Sequence, residues 1–555
     1  MSDAVSSYNI AAQLAKMAAL QPDRPAIHIP SGGRQNAELN YRSYSYAELN
    51  RRSDRIALAL EAIGIHRGVR TVLMVKPGFD FFALTFALFK VGAVPILIDP
   101  GMGIKNLKVC LQEAKPHAFI GIPQAHAARL LFGWGKPHLR IRLTLGPMLG
   151  WGGSRLQQLL QTIPAPATYQ PIEPAAADTA AILFTSGSTG VPKGAVYSHA
   201  NFIAQVDALR QVYSIKPGEI DVPTFPLFAL FAPALGMTAV IPQMDFTRPG
   251  AVDPEKIISA IVQFKATTMF GSPALIRRVA DYGVDRQVQL PTLKRVISAG
   301  APVPAAVLER FSQLLPPATE IFTPYGATEA LPVCSVGSGT ILKETAAATE
   351  QGQGVCVGRP VEGLRLEIIA ISDAPIAQWD DNLKVAAGQI GEIVVQGAQV
   401  TRSYYNRPDS TQLAKIENPA GGFFHRMGDL GYRDQQGRIW FCGRKSQRVV
   451  CARETLFTIP CEALFNRHRL IRRSALVGIQ IAGEQQPVIC VELEKGVKRS
   501  QHSELIDDLE RIAQASPLTR SIRRFLIHPE FPVDIRHNAK IFREKLARWA
   551  QQELR

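Results

Sequence analysis

One short segment combines hydroxyl groups, glycines and a lysine in a pattern that suits a polyphosphate. It reads Thr185-Ser-Gly-Ser-Thr-Gly-Val-Pro-Lys-Gly194, called the phosphate loop below, and lies between two predicted strands. Glycine permits unusual backbone angles and close approach of a phosphate, while hydroxyl and ammonium groups bind phosphate oxygens. The candidate ligand-binding residues are Thr185, Ser186, Gly187, Ser188, Thr189, Gly190 and Lys193. A flexible hairpin is the alternative, and the segment is not a Walker A loop because Gly194 follows the lysine.

The elements that must position this loop are typical of an α/β protein. Short apolar runs alternate with helix-like segments, which indicates parallel sheets covered by helices. After about residue 350 the chain becomes strand-rich, with turns predicted over 427–444, and a smaller α+β module follows. We predict a large N-terminal domain over 1–444 and a small C-terminal domain over 445–555. The main predicted strands are 71–75, 93–98, 180–184, 195–197, 240–241, 268–270, 295–298, 320–323, 365–371, 392–396, 475–479 and 488–494, and the predicted helices are 45–63, 79–91, 504–515 and 541–553.

Composition excludes several classes of protein. With 555 residues, 46% hydrophobic and 20% charged, the chain matches a globular protein rather than a disordered one. Its 7 cysteines form no C-x-x-C pair, which argues against a disulfide framework or a structural zinc site. The first residues lack the pattern of a secretion signal, so a cytoplasmic location is expected. The uncharged stretch between Asp221 and Asp245 contains four prolines, which favours buried loops and short strands over a membrane span.

The net charge of +15 raises the question of an anionic partner. Between Arg444 and Arg555 there are 21 Lys or Arg and 13 Asp or Glu, so about half of the excess lies in the last fifth of the chain. No zinc finger, helix-turn-helix or aromatic RNA-binding pattern accompanies it. We therefore expect a solvated basic face and no nucleic-acid partner.

Two motifs downstream of the phosphate loop narrow the chemistry. They are Gly300-Ala301-Pro302 and Tyr325-Gly326-Ala-Thr328-Glu329. With them, the chain resembles the adenylate-forming superfamily of acyl-CoA synthetases, amino-acid adenylation domains and luciferases along nearly its whole length. The resemblance implies that ATP binds the phosphate loop, with 300–302, Tyr325 and Gly326 on the adenine side, Thr328 on the α-phosphate and Glu329 on Mg²⁺.

Three later positions match the same superfamily. The resemblance implies that Asp429, in Gly428-Asp429, binds both ribose hydroxyls and that Arg444, in Gly443-Arg444, contacts ribose at the hinge. Lys540 ends the segment Pro532-Val-Asp-Ile-Arg-His-Asn-Ala-Lys540 and resembles the mobile catalytic lysine of adenylation. Ala539 stands where that motif usually has glycine. Taken alone, Lys540 would more often be a solvated helix lysine.

The chain also departs from the superfamily pattern. Ser446 replaces an acidic or basic hinge residue, Arg453 replaces the glycine that lets a pantetheine arm pass, and Ala229 replaces a histidine after Pro-Leu-Phe. The acyl side is therefore apolar, and core packing is the alternative function of its side chains. The residues assigned to the substrate are Phe228, Phe231 and Gly271, with Phe225, Leu230 and Leu235 as further apolar side chains nearby.

These features together resemble the β-lactone synthetases of bacterial long-chain olefin biosynthesis. That resemblance implies adenylation of a 2-alkyl-3-hydroxyalkanoic acid and closure to a β-lactone, with other enzymes of the same pathway as candidate partners. A long-chain acyl-CoA synthetase or fatty acyl-AMP ligase is the main alternative, and a basic binding protein without catalysis is another. His199, His425 and His537 are candidate bases for the 3-hydroxyl, and none is assigned. The oligomeric state stays open.

Overall fold

The computed structural model describes residues 7–35, 38–184, 192–534 and 540–554. The strands are β1 (Pro25–Gln35), β2 (Glu38–Ser45), β3 (Arg70–Met74), β4 (Val94–Leu97), β5 (Ala118–Gly121), β6 (Ile141–Thr144), β7 (Ser154–Arg155), β8 (Thr179–Phe184), β9 (Gly194–Ser198), β10 (Ile220–Pro223), β11 (Thr238–Val240), β12 (Thr268–Gly271), β13 (Arg295–Ser298), β14 (Glu320–Ala327), β15 (Ala330–Gly337), β16 (Val355–Pro360), β17 (Arg365–Ile369), β18 (Gly391–Gln396), β19 (Ser403–Tyr404), β20 (Lys415–Glu417), β21 (Phe423–Arg433), β22 (Ile439–Arg444), β23 (Val449–Val450), β24 (Thr455–Leu456), β25 (Ile471–Ile481), β26 (Glu484–Leu493) and β27 (Arg524–Ile527). The helices are α1 (Ile10–Leu20), α2 (Tyr46–Ala62), α3 (Phe79–Lys90), α4 (Ile104–Ala114), α5 (Pro123–Phe132), α6 (Leu156–Thr162), α7 (His199–Val212), α8 (Pro226–Ala229), α9 (Phe231–Leu235), α10 (Pro254–Gln263), α11 (Pro273–Asp285), α12 (Ala305–Ser312), α13 (Ser338–Thr340), α14 (Ala346–Glu350), α15 (Pro408–Ala414), α16 (Thr458–Phe465), α17 (His502–Gln514) and α18 (Arg543–Glu553).

The first sheet is a doubly wound layer in the order β19-β9-β8-β4-β3-β5-β6-β7. The strands from β8 to β7 pair in parallel, and their connections cross a face of the sheet as helices, except that β6 and β7 are joined by the loop 145–153. Helix α3 (FDFFALTFALFK) is apolar on every side and is buried in the largest hydrophobic cluster. Helices α4 and α5 pack on the opposite face, where the inner side chains of both join one cluster with β3, β4 and β5.

The largest sheet orders its main path as β17-β18-β21-β22-β16-β15-β14-β13-β12-β10-β11-β1-β2. Its middle part, from β11 to β14, is parallel, so Gly271 and Ser298 end neighbouring strands at the same edge. Its other half is antiparallel and brings β21 and β22 beside β16. The carboxyl ends of the parallel strands therefore meet the strand-rich half, where α/β proteins commonly bind ligands.

A small sheet, β25-β26-β27, is packed with α16, α17 and α18. A buried ion pair joins two of its helices, because Arg543 at the start of α18 donates to both carboxylate oxygens of Glu462 on α16 at 2.6 Å. The Glu462 carboxylate also accepts the backbone N–H of Leu476. Before α18, Asp534 Oδ1 accepts the Lys540 N–H at 3.0 Å.

The α/β class predicted from sequence is confirmed, and most strands lie within two residues of their predicted bounds. The turns predicted over 427–444 are wrong, because this segment forms most of the hairpin β21–β22. Glycines and charged residues interrupt the alternation of apolar and polar residues by which a strand is predicted. Gly431 leaves no room for a side chain beside the Trp440 carbonyl oxygen, and Asp429 faces Arg444 across the hairpin. The stretch from Asp221 to Asp245 forms β10, α8, α9 and β11, and no described helix is long and apolar enough to cross a membrane.

Two glycines have similar positive φ angles but different surroundings, so substituting each of them separates the cost of backbone strain from the cost of a steric clash. Gly358 (φ +86°) lies where a Cβ would overlap the carbonyl oxygen of Ser335, whereas Gly437 (φ +77°) has no heavy atom within 4 Å of that position. We expect Gly437→Ala to lower the free energy of unfolding by about 1 kcal/mol and Gly358→Ala to lower it by about 3 kcal/mol. Denaturant unfolding measures both, and equal losses would contradict the close approach of β15 and β16.

Candidate active site

A buried carboxylate connects three strands at the junction of the two halves of the large sheet. Asp429 on β21 faces Arg444 on β22, and Arg444 Nη1 donates to Asp429 Oδ1 at 2.8 Å. The hydroxyl of Tyr325 on β14 donates to Asp429 Oδ2 at 2.7 Å. The Asp429 carboxylate raises the pKa of the Arg444 guanidinium, and burial and that carboxylate raise the pKa of Tyr325. The structure thus brings together three residues that span 119 positions of the sequence, from Tyr325 to Arg444.

Arg444 reaches this place because of the glycine before it. Gly443 has φ +127°, and a Cβ there would overlap Thr458 Oγ1 at the start of α16. The backbone of β22 therefore lies directly against the first residue of the small unit's first helix. Only glycine combines this positive φ with that close approach.

A second group surrounds the Glu329 carboxylate. Tyr404 on β19 donates its hydroxyl proton to Glu329 Oε1 at 2.6 Å. Thr401 donates its N–H at 2.8 Å and its hydroxyl at 3.2 Å to the Glu329 carbonyl oxygen. The Thr328 carbonyl oxygen accepts a short hydrogen bond from the buried Tyr197 hydroxyl. The turn that holds Thr328 and Glu329 is therefore fixed through its main chain, which leaves the Thr328 side chain and Glu329 Oε2 for a ligand.

Cations surround the two carboxylates. Lys193 Nζ lies 5.1 Å from the centre of the Tyr404 ring, and Lys415 on β20 donates its ammonium to the Thr401 carbonyl oxygen. Burial lowers the pKa of Lys415 to about 7, although the Glu329 charge opposes the shift. His425 on β21 is buried, and burial together with Lys415, Lys193 and Arg444 holds its pKa well below the ordinary value, so it is neutral at pH 7. The site favours a ligand with several negative charges.

The remaining predicted nucleotide residues lie at the edge of the sheet. Gly300, Ala301 and Pro302 follow β13, and Gly300 has φ +100°. At Gly326, in β14, a Cβ would come within 2.7 Å of the Ala330 carbonyl oxygen, so the turn after Tyr325 requires a residue without a side chain. Residues 185–191 of the phosphate loop lie outside the described residues.

The apolar residues predicted for the substrate have two different sets of neighbours. The Phe228 ring stacks on Phe270 with centroids 4.4 Å apart, next to Gly271, where a Cβ would come within 3.1 Å of Ile276 and Leu275. Phe231 instead meets Phe202, at 6.4 Å between centroids. The structure therefore groups Phe228 with Gly271 and directs Phe231 toward the core of the first sheet.

Lys540 belongs to the small unit. Its N–H donates to Asp534 Oδ1 and its carbonyl oxygen accepts the Asp534 N–H, both at 3.0 Å. Of the three candidate histidines, His425 lies among the cations of the site, whereas His199 is buried beside Phe89 and burial lowers its pKa to about 4. His537 lies outside the described residues.

Sequence reasoning missed four residues that shape the site: Tyr197, Thr401, Tyr404 and Lys415. Each acts through a hydrogen bond across at least 14 positions, and none belongs to a motif. The one usable signal is Lys415 itself, because a lysine that opens a short strand before the apolar pair Phe423-Phe424 is out of place in a core.

Comparison with known proteins identifies the family. The AMP-binding enzyme family model matches residues 14–405. The chain belongs to the AMP-binding enzyme family. Two curated relatives are named olefin beta-lactone synthetase: the protein of Xanthomonas campestris pv. campestris is 50% identical over 98% of both chains, and that of Stenotrophomonas maltophilia is 51% identical over 98% of both.

Solved structures of other AMP-binding enzymes share the fold. The amide bond synthetase McbA from Marinactinospora thermotolerans superposes with a TM-score of 0.79 at 20% identity, covering 98% of this chain and 99% of that one. The anthranilate CoA ligase AuaEII in complex with anthranoyl-AMP gives a TM-score of 0.78 at 18% identity, covering 100% and 99%. At these identities the likeness supports the fold alone.

A double-mutant cycle tests the hydrogen bond at the centre of the site. Tyr325→Phe and Asp429→Asn are expected to couple by about 1–2 kcal/mol in the free energy of unfolding, because a hydrogen bond to a charged acceptor is lost. Tyr325→Phe paired with Asp434→Asn is the control and should be additive within about 0.5 kcal/mol, since Asp434 instead accepts from Arg438 and Trp440. Additivity in the first pair would contradict the Tyr325–Asp429 contact.

Proposed function

We propose that this AMP-binding enzyme is an ATP-dependent β-lactone synthetase. It adenylates a 2-alkyl-3-hydroxyalkanoic acid and closes the product to a 2-oxetanone. The observation that carries the proposal is the match, at 50% identity over 98% of both chains, to a protein named olefin beta-lactone synthetase. The cation-rich site around the buried Asp429 and the half-buried Glu329 supports the nucleotide half of this chemistry.

The Asp429 carboxylate is suited to ribose. Each carboxylate oxygen has two acceptor positions, and Tyr325 and Arg444 use one position on each oxygen. One position therefore remains on each oxygen for the two ribose hydroxyls. Tyr325 would then hold its ring against adenine beside 300–302, and Lys193 with the phosphate loop would bind the phosphates.

Glu329 fits a magnesium ion that is shared with a substrate. No group of three or more His, Cys, Asp or Glu in the described ranges could hold a metal alone. Mg²⁺ commonly binds one or two carboxylates and completes its shell with phosphates and water, and Glu329 has one oxygen that Tyr404 does not occupy. When bound, the ion would neutralise phosphate charge during adenylation.

The proposed reaction has two displacements. The substrate carboxylate oxygen attacks the α-phosphorus of ATP, and the bond to the β-phosphate oxygen breaks, which releases pyrophosphate. The 3-hydroxyl oxygen then attacks the activated carbonyl carbon, loses its proton to a base, and AMP leaves with the electron pair of the anhydride bond. Because the nucleophile is already attached to the electrophile, positioning supplies much of the second rate.

The acyl side and the hinge region fit a reaction without a thiol. Ala229 is fully buried where the superfamily motif has histidine, and Phe228 stacks on Phe270. Arg453 is exposed in the turn between β23 and β24, which the Cys451 N–H closes by donating to the Glu454 carbonyl oxygen. A charged side chain at this turn would obstruct a pantetheine arm, so we assign the substrate's own hydroxyl as the acceptor.

We also propose that the chain has two domains, 1–444 and 445–555, and works in the cytoplasm. Closure of the small domain would bring Lys540 to the substrate carboxylate and α-phosphate. Lys445 donates to Oε2 of the buried Glu392 at 3.2 Å, and Arg448 pairs with Asp373. Rotation of the small domain must therefore either break these two ion pairs or take place about a point in the chain after Arg448.

Product analysis tests the reaction. With ATP, Mg²⁺ and a 2-alkyl-3-hydroxy acid, we expect AMP and a neutral cyclic ester, 18 mass units (one water) lighter than the acid, in equal amounts with or without coenzyme A. Mass spectrometry and nucleotide chromatography follow both products. A thioester that forms only when coenzyme A is present would identify an acyl-CoA synthetase instead.

Replacing the proposed catalytic lysine tests the role of the small domain. Lys540→Ala is expected to lower the rate of ATP–pyrophosphate exchange by about 10²–10³-fold, because one cation is lost from the charge that develops at the α-phosphate. Its melting temperature should stay within about 1 °C of wild type. Lys545→Ala, which removes an exposed lysine of α18, is the matched control, and unchanged exchange in Lys540→Ala would contradict the assignment.

A further inference from the structure

A second group of cations lies in the first sheet, on the side of α4 and α5 and outside the proposed active site. Arg129 on α5 is only 4% exposed, and its Nε and Nη2 have no hydrogen-bond partner among the described residues. Arg142 on β6 likewise has a buried Nε without a partner. Burying a guanidinium without an acceptor is costly, so these donors point to a ligand.

No carboxylate of the chain neutralises these arginines in the described part. Between residues 100 and 172 the sequence contains one acidic residue, Glu113, which already pairs with Arg407 at 2.6 Å. Eight basic residues lie in the same range: Lys105, Lys108, Lys115, Arg129, Lys136, Arg140, Arg142 and Arg155. Burial, and after it the Arg142 charge, hold the pKa of Arg129 below its ordinary value.

The surroundings exclude an internal explanation for Arg129. The ring of Phe119 lies 5.9 Å from Arg129 Cζ, and a ring face does not accept the in-plane Nε and Nη2 protons. His126 uses Nε2 on the Leu143 carbonyl oxygen, and its Nδ1 has no partner. When Nε2 carries the proton of the neutral ring, Nδ1 has no proton to donate. Nδ1 becomes a donor only when a nearby negative charge favours the doubly protonated, cationic ring.

A glycine-rich loop covers this group at the carboxyl end of β6. It reads Leu145-Gly-Pro-Met-Leu-Gly-Trp-Gly-Gly153, and its four glycines have φ between +70° and +108°. Trp151 stacks on His126 with ring centroids 5.4 Å apart, and a Cβ on Gly152 would come within 3.5 Å of Arg142 Nη2. Glycine-rich turns after parallel strands present backbone N–H groups to phosphates, so the loop suits an anion held by the two arginines.

We propose that Arg129 and Arg142, under the loop 145–153, bind a phosphate-class oxyanion. Two or more oxygens of the anion are bound through the fork of Arg129 and through Arg142, with His126 as a further donor. Leu149 at the loop tip is 73% exposed and Leu131 at the end of α5 is 78% exposed. The phosphate therefore belongs either to a free inorganic ion or to a lipid headgroup, and the experiment separates the two.

Thermal unfolding with potassium phosphate replacing KCl at constant ionic strength tests the site. The melting temperature of the wild type is expected to rise by about 2–4 °C at saturation, since a ligand that binds the folded state stabilises it. Arg129→Met should abolish this rise, and without phosphate it should melt at or above the wild-type temperature because an unpaired buried charge is gone. A rise retained in Arg129→Met would overturn the proposal.

Two control variants isolate the effect. Arg426 is also 4% exposed but donates to Glu392 at 2.6 Å, so Arg426→Met should melt lower in both buffers and keep the phosphate-dependent rise. Lys193→Met removes the cation of the phosphate loop and should keep the rise as well, which separates this site from the nucleotide site. A loss of stability in Arg129→Met as large as that in Arg426→Met would show that Arg129 is already paired, and would overturn the proposal.

Equilibrium dialysis and vesicles complete the test. Radiolabelled phosphate should bind Lys193→Met at one saturable site, and the absence of such a site overturns the proposal even if Arg129→Met does not fold. Vesicles of phosphatidylcholine with phosphatidic acid should sediment with wild type and not with Arg129→Met if a headgroup is the source. Saturable phosphate binding without sedimentation identifies a free ion, and Leu20→Ser, at a leucine 68% exposed elsewhere, controls for nonspecific apolar adsorption.

Discussion

The Asp429 carboxylate is the constraint on which the nucleotide side of the molecule depends. A carboxylate that is 5% exposed requires partners for both oxygens, and it obtains them from two different strands. Tyr325 supplies one from β14 and Arg444 supplies the other from β22. These contacts fix β14 relative to the antiparallel half of the sheet, and they bring Gly443 against α16, so that the end of the large sheet also determines where the small unit begins.

The same constraint organises the charges of the site. Arg444 interacts with Asp429 and with Glu329, so the two carboxylates of the site share one cation. Lys193 and Lys415 add positive charge near Glu329, and His425 is kept neutral by its buried, cationic surroundings. A polyphosphate entering this region would meet Arg444, which Asp429 already holds in place, and charge preorganised in this way stabilises the charge that develops in a transition state.

Much of the fold and the motif residues of the site can be predicted from the sequence, whereas the residues that support those motifs cannot. Strands such as 295–298 and helices such as 79–90 follow from local apolar patterns, and the motifs that name Asp429, Arg444, Tyr325 and Glu329 are short and local as well. The supporting residues are not local, because Tyr404 and Tyr197 reach their partners across 75 and 131 positions. Only tertiary pairing makes such residues visible, and it also shows that Phe228 and Phe231, three positions apart, face different neighbours.

The distribution of charge supports a division of tasks within the chain. The sequence alone assigns about half of the excess charge to the last fifth of the chain, and the proposed catalytic Lys540 is one of the basic residues counted there. The remaining excess lies in residues 100–172, a range with eight basic residues and one acid. Solvated surface charge alone would explain exposed lysines such as Lys105 and Lys108, since such groups cost little. It does not explain Arg129, because a guanidinium withdrawn from water gains nothing from a general surface field and requires an acceptor at hydrogen-bond distance.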